Sequence, residues 1–435
     1  GPTAPQKGPV ATIIPEPVEP GDDYLNLNVF TPELGAANLP VFVWIHGGGF
    51  VSGCNRSPWY RGTRFAREGV VLVSIGYRLG VEGFLEIDDA PSNRAVLDWI
   101  AGLEWVQDNI ANFGGDPSNV TIGGQSAGSA ACLTTMVNPR ARGLVHKVIA
   151  MSGTSDSRMP VEAARELSAK VAAQLGAEPT RASLARFTPL ELVEAHAAVA
   201  GNPFSRDSLM SGFDPKAPAL RPFADGETIV EHPFRAIAEG RASDIPLIAG
   251  STAEEINGVI RMQKGSMDED TAISALGAMG LVGEKRDRYL DHVGANDPID
   301  GFAQAATDRA FREPLARLLE DRASATTGGA PTFAYQFTWG SPLFDGMVGS
   351  AHCLDIPFAF DNLDAKGVSD GLIGPDAPQS LADEMHSAWV SFIKTGDPGW
   401  RPYTMDDRAV MEFDTPSKIT DDALGFTREI FKRPR

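Results

Sequence analysis

The chain has 435 residues, 43% hydrophobic and 22% charged. This is ordinary globular usage, which excludes a disordered chain, a collagen and a coiled coil. Lys and Arg number 38 against 57 Asp and Glu, a net charge of −19. A surface this acidic repels phosphate backbones, so nucleic acid is not an expected partner. The strongest apolar runs, such as Val41 to Ile45, fall far short of the ~20 residues that a membrane-spanning helix needs, so no membrane partner is expected either.

Residues 1–23 are rich in Pro and Gly, lack apolar periodicity and read as an extended surface lead-in. Alternation begins at Tyr24. Leu25, Leu27 and Val29 fall on one face, which predicts a half-buried strand ended by Thr31-Pro32. Nearly continuous apolar runs follow at Val41–Ile45, Val70–Ile75, Val120–Ile122, Val148–Met151, Ile245–Ala249 and Phe333–Phe337. Runs without alternation predict strands covered on both faces, as in a parallel sheet. Helical patterns lie between them. Ala95 to Ile110 puts Val96, Ile100, Leu103 and Val106 near one face, and Ala127 to Met136 is rich in small residues. Val161 to Ala200 is Ala-rich and mostly helical, with Thr188 as an N-cap and Pro189 at the first helical position. Leu381, Met385, Ala388, Trp389 and Phe392 form a core-facing helical stripe that Gly396 stops. The alternation predicts an α/β fold, a mostly parallel central sheet flanked by helices. With no repeat or clear linker, residues 1–435 read as one large domain, and an insertion at roughly 155–240 is expected to pack as a helical cap over the sheet edge.

Cys54, Cys132 and Cys353 are odd in number and widely spaced, without a CxxC. That argues against a disulfide framework and a zinc site. The reading is reduced core thiols in a cytoplasmic protein, with secretion left open and no metal expected.

The strongest local signal is G-x-S-x-G at Gly124, Ser126 and Gly128, between the Val120–Ile122 run and the small-residue helix. A tight strand-to-helix turn flanked by glycines holds a serine hydroxyl exposed at a helix N-terminus, which suits a nucleophile. The alternative is a turn serine capping a helix. The second signal is Trp44-Ile45-His46-Gly47-Gly48-Gly49-Phe50, directly after a strand. Consecutive glycines leave backbone N–H groups free for a tetrahedral oxyanion. A phosphate-cradling loop competes, but no Gly-Lys-Ser/Thr accompanies it. His46, ahead of the nucleophile and beside these donors, reads as a loop support.

A serine nucleophile needs a base, and the base an orienting acid. After Ser126 come His146, His196, His232, His292, His352 and His386. His352 lies in the small-residue loop Gly349-Ser350-Ala351-His352-Cys353, beyond a predicted strand, and is the favoured base; His292 is second. The acid is expected after the Ile245–Ala249 strand, where Glu254 and Glu255 are both candidates against the reading of a solvated acidic helix start. Asp225, in a turn, and Asp244, ahead of the strand, are less well placed.

These residues resemble the type-B carboxylesterases, the group that includes the cholinesterases. The resemblance is carried by Asp22 to Val29, His46 to Phe50, Gly76-Tyr77-Arg78-Leu79-Gly80 and Asn112 to Pro117, and by Gly124 to Gly128. It continues in His352 with Asp355-Ile356-Pro357-Phe358 and in Phe392 to Pro398. It implies an α/β-hydrolase fold and cleavage of small-molecule esters without a cofactor. Position by position it implies Ser126 as nucleophile, His352 as base and Glu255 as acid, with oxyanion donors at the backbone N–H groups of Gly48, Gly49 and Ala127. Ile256 replaces the usual glycine after the acidic pair, which keeps Glu254 in play. Tyr24 stands where secreted members often carry a disulfide cysteine, and Gln125 where many members carry Glu. Family members begin with a β-hairpin region. Gly1 to Gln6 resembles the segment just after that hairpin, so the hairpin is expected to be missing here. Carbamate or amide cleavage would use the same groups. A catalytically inactive binding module on this fold typically lacks the serine or the histidine, both present here. Acyl and alcohol preference and oligomeric state are not legible.

Overall fold

The computed structural model describes residues 1–7, 14, 16–153, 159–200, 218–265, 267–325, 328–369 and 371–432. Nine strands form one sheet: β1 (Leu27–Phe30), β2 (Leu39–Ile45), β3 (Val71–Ile75), β4 (Gly115–Gln125), β5 (Lys147–Met151), β6 (Leu247–Thr252), β7 (Thr332–Phe337), β8 (Ala409–Phe413) and β9 (Lys418–Asp421). Their order is β1-β3-β2-β4-β5-β6-β7-β8-β9. The pairs from β3 to β8 are parallel, and the two edge pairs, β1 with β3 and β8 with β9, are antiparallel.

The central strands read as unbroken apolar runs because both faces are covered. Val41, Val43 and Ile45 of β2 point into one core cluster, and Phe42 and Trp44 into the other. The first cluster is closed by α1 (Arg94–Asn109) and α2 (Ala127–Val137), and by two further helices, α3 (Val161–Gln174) and α4 (Pro189–Ala200). Part of the expected insertion at 155–240 lies outside the described residues. Of what is described, α3 and α4 bury Leu167, Val171, Leu192 and Ala195 in the same cluster as Ala127 and Ala130 of α2. Thr188 and Glu191 cap α4 reciprocally: the Thr188 hydroxyl accepts from the Glu191 N–H at 3.3 Å, and the Glu191 carboxylate from the Thr188 N–H at 2.7 Å.

Beyond β6, α5 (Pro298–Thr307) runs through a π turn at Asp308–Arg312 into α6 (Glu313–Ala325). The opposite face of the sheet is covered by α7 (Gln379–Thr395), which buries Leu381, Met385, Trp389 and Phe392 and ends at left-handed Gly396 (φ 83°). Among the described residues no helix is long and apolar enough to cross a membrane.

Candidate active site

The parallel strands all end on one side of the sheet, and Ser126, the glycine loop, Glu255 and His352 lie at or just beyond those ends. Strand β4 ends at Gln125, and α2 begins at Ala127. Ser126 between them sits at φ 58°, ψ −121°. A non-glycine residue in that region is strained and is held there by its surroundings. One tether is the Ser126 N–H, which donates to the Met151 carbonyl at 2.9 Å. The flanking glycine on the helix side is required by close approach. A Cβ on Gly128 would lie 2.0 Å from the Ile45 carbonyl oxygen, so no side chain fits between α2 and the end of β2.

The glycine loop after β2 lies against this turn. A Cβ on Gly47 would come within 2.7 Å of the Gln125 carbonyl oxygen and 3.3 Å of the Ser126 Cβ. His46 supports the loop, as its position suggested. Its ring stacks on Tyr77 at 4.4 Å, its Nδ1 faces the Gly47 carbonyl at 2.8 Å, and its own carbonyl accepts from the Tyr77 hydroxyl at 2.9 Å. Burial holds this imidazole down to about 4, neutral at ordinary pH. Gln6 pins the far end of the loop by accepting from the Gly53 N–H and donating to the Gly53 carbonyl, both at 2.9 Å.

His352 arrives from the loop after β7. Its Nδ1 lies 2.5 Å from Glu255 Oε2, and its backbone N–H donates to the Glu255 carbonyl at 2.9 Å. The Glu255 side chain is fully buried, and its other oxygen accepts from the Thr252 N–H at 2.9 Å. Glu254 turns the other way, accepting from the Ser350 N–H at 2.9 Å and pairing with Arg261 at 2.8 Å. The geometry therefore separates two neighbours that the sequence left unresolved. Burial disfavours a charged His352, yet the adjacent Cys353 and Glu255 outweigh it and carry the imidazole well above the ordinary histidine range. Among the described residues no hydrogen bond joins Ser126 Oγ to His352; the Gln125 amide nitrogen lies over the ring, 3.2 Å from its Nε2 and 3.4 Å from its Nδ1. His292, the second candidate base, stacks on Phe426 at 3.5 Å, at the end of a helix that packs into a separate apolar cluster around Tyr289, Phe302 and Phe431.

Three features were not read from the sequence. Cys353 donates its thiol to Gln125 Oε1 at 3.2 Å. Phe311, on the π turn, packs against the His352 ring at 5.1 Å. Asp355, fully buried, accepts from the Tyr335 hydroxyl at 2.7 Å, and its other oxygen has no partner. Burial, reinforced by the Glu255 charge, pushes its carboxyl up to about 7. The spacing from His352 to Asp355 is that of one helical turn, the only signal that could have suggested proximity. Among the described residues no group of three or more His, Cys, Asp or Glu is arranged to hold a metal ion.

A serine on a strained strand-to-helix turn, a glycine loop against it and a carboxylate-bound histidine, all at one end of a mostly parallel sheet, define the α/β-hydrolase class. The model of the carboxylesterase family matches residues 1–427, and the chain belongs to that family. It is 34% identical over 428 residues to phenmedipham hydrolase of Pseudarthrobacter oxydans, covering 91% of this chain and 83% of that one. It is 33% identical to para-nitrobenzyl esterase of Bacillus subtilis, covering 92% and 81%. Among solved structures it superposes on a Geobacillus stearothermophilus carboxylesterase with a TM-score of 0.83 at 31% identity, covering 99% of this chain and 88% of that one. The protein is a serine hydrolase acting on carboxylic esters.

Proposed function

We propose that Ser126, His352 and Glu255 carry out the ester cleavage, with the backbone N–H groups of Gly48, Gly49 and Ala127 as oxyanion donors. The observation that carries this reading is the 2.5 Å contact between His352 and the buried Glu255, with the imidazole ring lying against Gln125, the residue that precedes Ser126. Ser126 Oγ attacks the ester carbonyl carbon while His352 Nε2 takes its proton. Glu255 keeps Nδ1 protonated and stabilises the imidazolium. The oxyanion draws on the N–H donors, each worth ~3–4 kcal/mol in comparable sites. His352 then gives its proton to the departing alcohol, and a water, deprotonated by the same ring, releases the acid and restores Ser126.

Labelling with a fluorophosphonate, followed by mass mapping of the adduct, tests the assignment. The adduct is expected on Ser126, and Ser126→Ala is expected to lose both the adduct and about 10⁶-fold in kcat. An adduct elsewhere, or turnover retained in the variant, would overturn it. Similarity to a phenmedipham hydrolase supports a second reading, carbamate or amide cleavage by the same groups; turnover of matched ester and carbamate substrates decides between them. A single domain is supported by one sheet that runs from Leu27 to Asp421, with α3 and α4 covering part of it as a cap. A reducing, cytoplasmic setting is supported by Cys54, Cys132 and Cys353, all buried and unpaired. The net charge of −19 supports the absence of a nucleic-acid partner.

A further inference from the structure

Glu254 takes no part in the cleavage chemistry, yet its carboxylate touches the loop that delivers the base. We propose that Glu254 is a positioning residue for His352: one oxygen of its carboxylate clamps the base loop through the Ser350 N–H, while Arg261 holds the other oxygen. The proposal rests on His352 being the base and Glu255 its acid.

The base stands at the far end of a long excursion of the chain. Strand β7 ends at Phe337, and residues 338–351 intervene before His352. Within that loop Phe344, Asp345 and Gly346 are left-handed in succession, with φ 53°, 55° and 77°, and Phe344 is 68% exposed. Such a loop places its last residue accurately only if it is tied at its base. Two ties close the loop on itself and on β7. The Ser341 N–H donates to the Gly349 carbonyl at 3.0 Å, and the Ser350 hydroxyl to the Phe337 carbonyl at 2.5 Å. Three more join it to the turn that carries the acid. The Glu254 N–H donates to the Ser350 carbonyl at 3.1 Å, the His352 N–H donates to the Glu255 carbonyl at 2.9 Å, and the Ser350 N–H donates to Glu254 Oε2 at 2.9 Å. Only the last of these three runs through a side chain.

The surroundings of the carboxylate are shaped for that contact. A Cβ on Gly349 would lie 2.1 Å from Glu254 Oε2, so the glycine, at φ 62°, leaves the room that the oxygen occupies. Ser350 is buried, and without the carboxylate its N–H would be left without an acceptor. The other oxygen, Oε1, pairs with Arg261 at 2.8 Å and accepts from the Asn257 side chain at 3.4 Å. Both belong to the short helix Asn257–Arg261 that follows the acid. The carboxylate therefore bridges the two segments that carry acid and base, with one oxygen on each. Glu254 acts through Ser350, two residues ahead of the imidazole, and keeps the loop in the register that puts His352 Nδ1 on Glu255 Oε2.

The test compares Glu254→Met with Glu254→Gln in steady-state kinetics. Both keep the length of the side chain, and both lose the charge that pairs with Arg261, so whatever that pair adds to stability is lost from both. Only the glutamine keeps an oxygen for the Ser350 N–H. Glu254→Met is expected to lose about 10- to 100-fold in kcat, the scale set by misplacing a reacting group by roughly 1 Å. Its KM is expected to stay within about threefold, because substrate contacts are untouched. Glu254→Gln is expected to recover kcat to within a few-fold of wild type. The rate of fluorophosphonate labelling at Ser126, which draws on the same base, should fall and recover with kcat. Full kcat in Glu254→Met, or equal losses in the two variants, would overturn the proposal. If Glu254→Met does not fold, hydrogen exchange in the wild type decides. A clamped Ser350 N–H is expected to exchange as slowly as the His352 N–H, and a fast Ser350 amide would overturn the clamp. Failure of the parent reading looks different. A wild type that is not labelled at Ser126, or full turnover in Glu255→Gln, sinks the acid and base assignment. A labelled wild type with a slow Glu255→Gln and a fast Glu254→Met sinks only the role of Glu254.

Discussion

Glu254 and Glu255 are adjacent in the chain and point to opposite ends of the site. One is tied to the partly exposed Arg261, and the other is buried on His352. The proposed roles predict unequal losses. Glu255→Gln keeps the shape but presents the wrong hydrogen-bonding partner to Nδ1, and kcat is expected to fall by about 10⁴, as for the analogous Asp→Asn change in a Ser-His-Asp triad. Glu254→Gln removes one partly exposed ion pair, usually worth about 0–1 kcal/mol, so kcat should stay within a few-fold. Steady-state kinetics of the two variants side by side check this, and a larger loss in Glu254→Gln would reverse the assignment. Asp355 makes a prediction about stability. Its carboxyl is raised to about 7 in the folded protein by burial, against the ordinary range near 4 when unfolded. The folded state therefore binds its proton more tightly. The associated stability is complete at the acid end and is lost at about 1.4 kcal/mol per unit as pH rises from about 4 to about 7, then levels off. Asp355→Asn keeps an acceptor for Tyr335 and cannot ionise. Relative to wild type it should gain thermal stability between pH 5 and pH 7 and hold that gain at pH 8. A difference in melting temperature that does not change with pH would show that Asp355 is not neutral when folded.

The elements that were legible are those with a strong local cause, and the ones missed had none. Strand β2 and helix α7 follow directly from apolar runs and stripes, with ends set by the glycine loop and by Gly396. The first strand starts later than the alternation from Tyr24 suggested: β1 begins at Leu27, and Leu25 is 53% exposed. The Asn26 side chain donates to the Asp23 and Pro2 carbonyls and the Tyr24 hydroxyl to Glu82, so these side chains are engaged with the lead-in and with Glu82 and do not form an alternating buried face. Strand β6 runs on through Gly250-Ser251-Thr252, whose polar composition reads as a loop. The register with Tyr335 to Phe337 keeps it in the sheet, and the glycine is needed because a Cβ there would lie 2.1 Å from the Tyr335 ring. Strands β8 and β9 are short, and β9 is Lys-Ile-Thr-Asp, in which Ile419 is the one apolar residue. The turn at Ser126 was legible because its requirement is steric and local. Gly128→Ala would force a methyl group to within 2.0 Å of the Ile45 carbonyl oxygen, a backbone atom that cannot step aside. Overpacking of this kind costs up to about 3 kcal/mol, and it would also shift Ser126 against the glycine loop. Melting and kinetics of this variant should show both a lower transition and a loss of kcat; a normal transition with full activity would mean that the turn is more compliant than its packing indicates.

At the scale of the whole molecule, the site is a property of the assembled sheet. Ser126 follows β4, Glu255 follows β6 and His352 follows β7, with β5 between the first two. Glu255 and His352 are 97 residues apart in the chain, and their contact exists only while β6 and β7 are in register. This is why the pairing of acid and base could be inferred only through order along the chain and resemblance, while the contacts of Gln125, Cys353 and Asp355 could not be inferred at all. They depend on loops brought together across the sheet, and no local pattern encodes them. A chain of this length is expected to unfold through intermediates, with peripheral clusters loosening before the central sheet. The helices around Tyr289, Phe302 and Phe431 form such a satellite core. The tryptophans report on the centre: Trp99 is fully buried on one face of the sheet, and Trp44, Trp59 and Trp389 on the other. In a urea titration, turnover should therefore be lost at or below the concentration at which tryptophan fluorescence shifts to that of exposed indole. If the satellite helices detach first, activity falls ahead of fluorescence, because α5 and the π turn that carries Phe311 to His352 belong to that region. Turnover that persists after the tryptophans are exposed would mean that the reacting groups do not depend on the β4 to β7 pairing, and the site would have to be sought elsewhere in the chain.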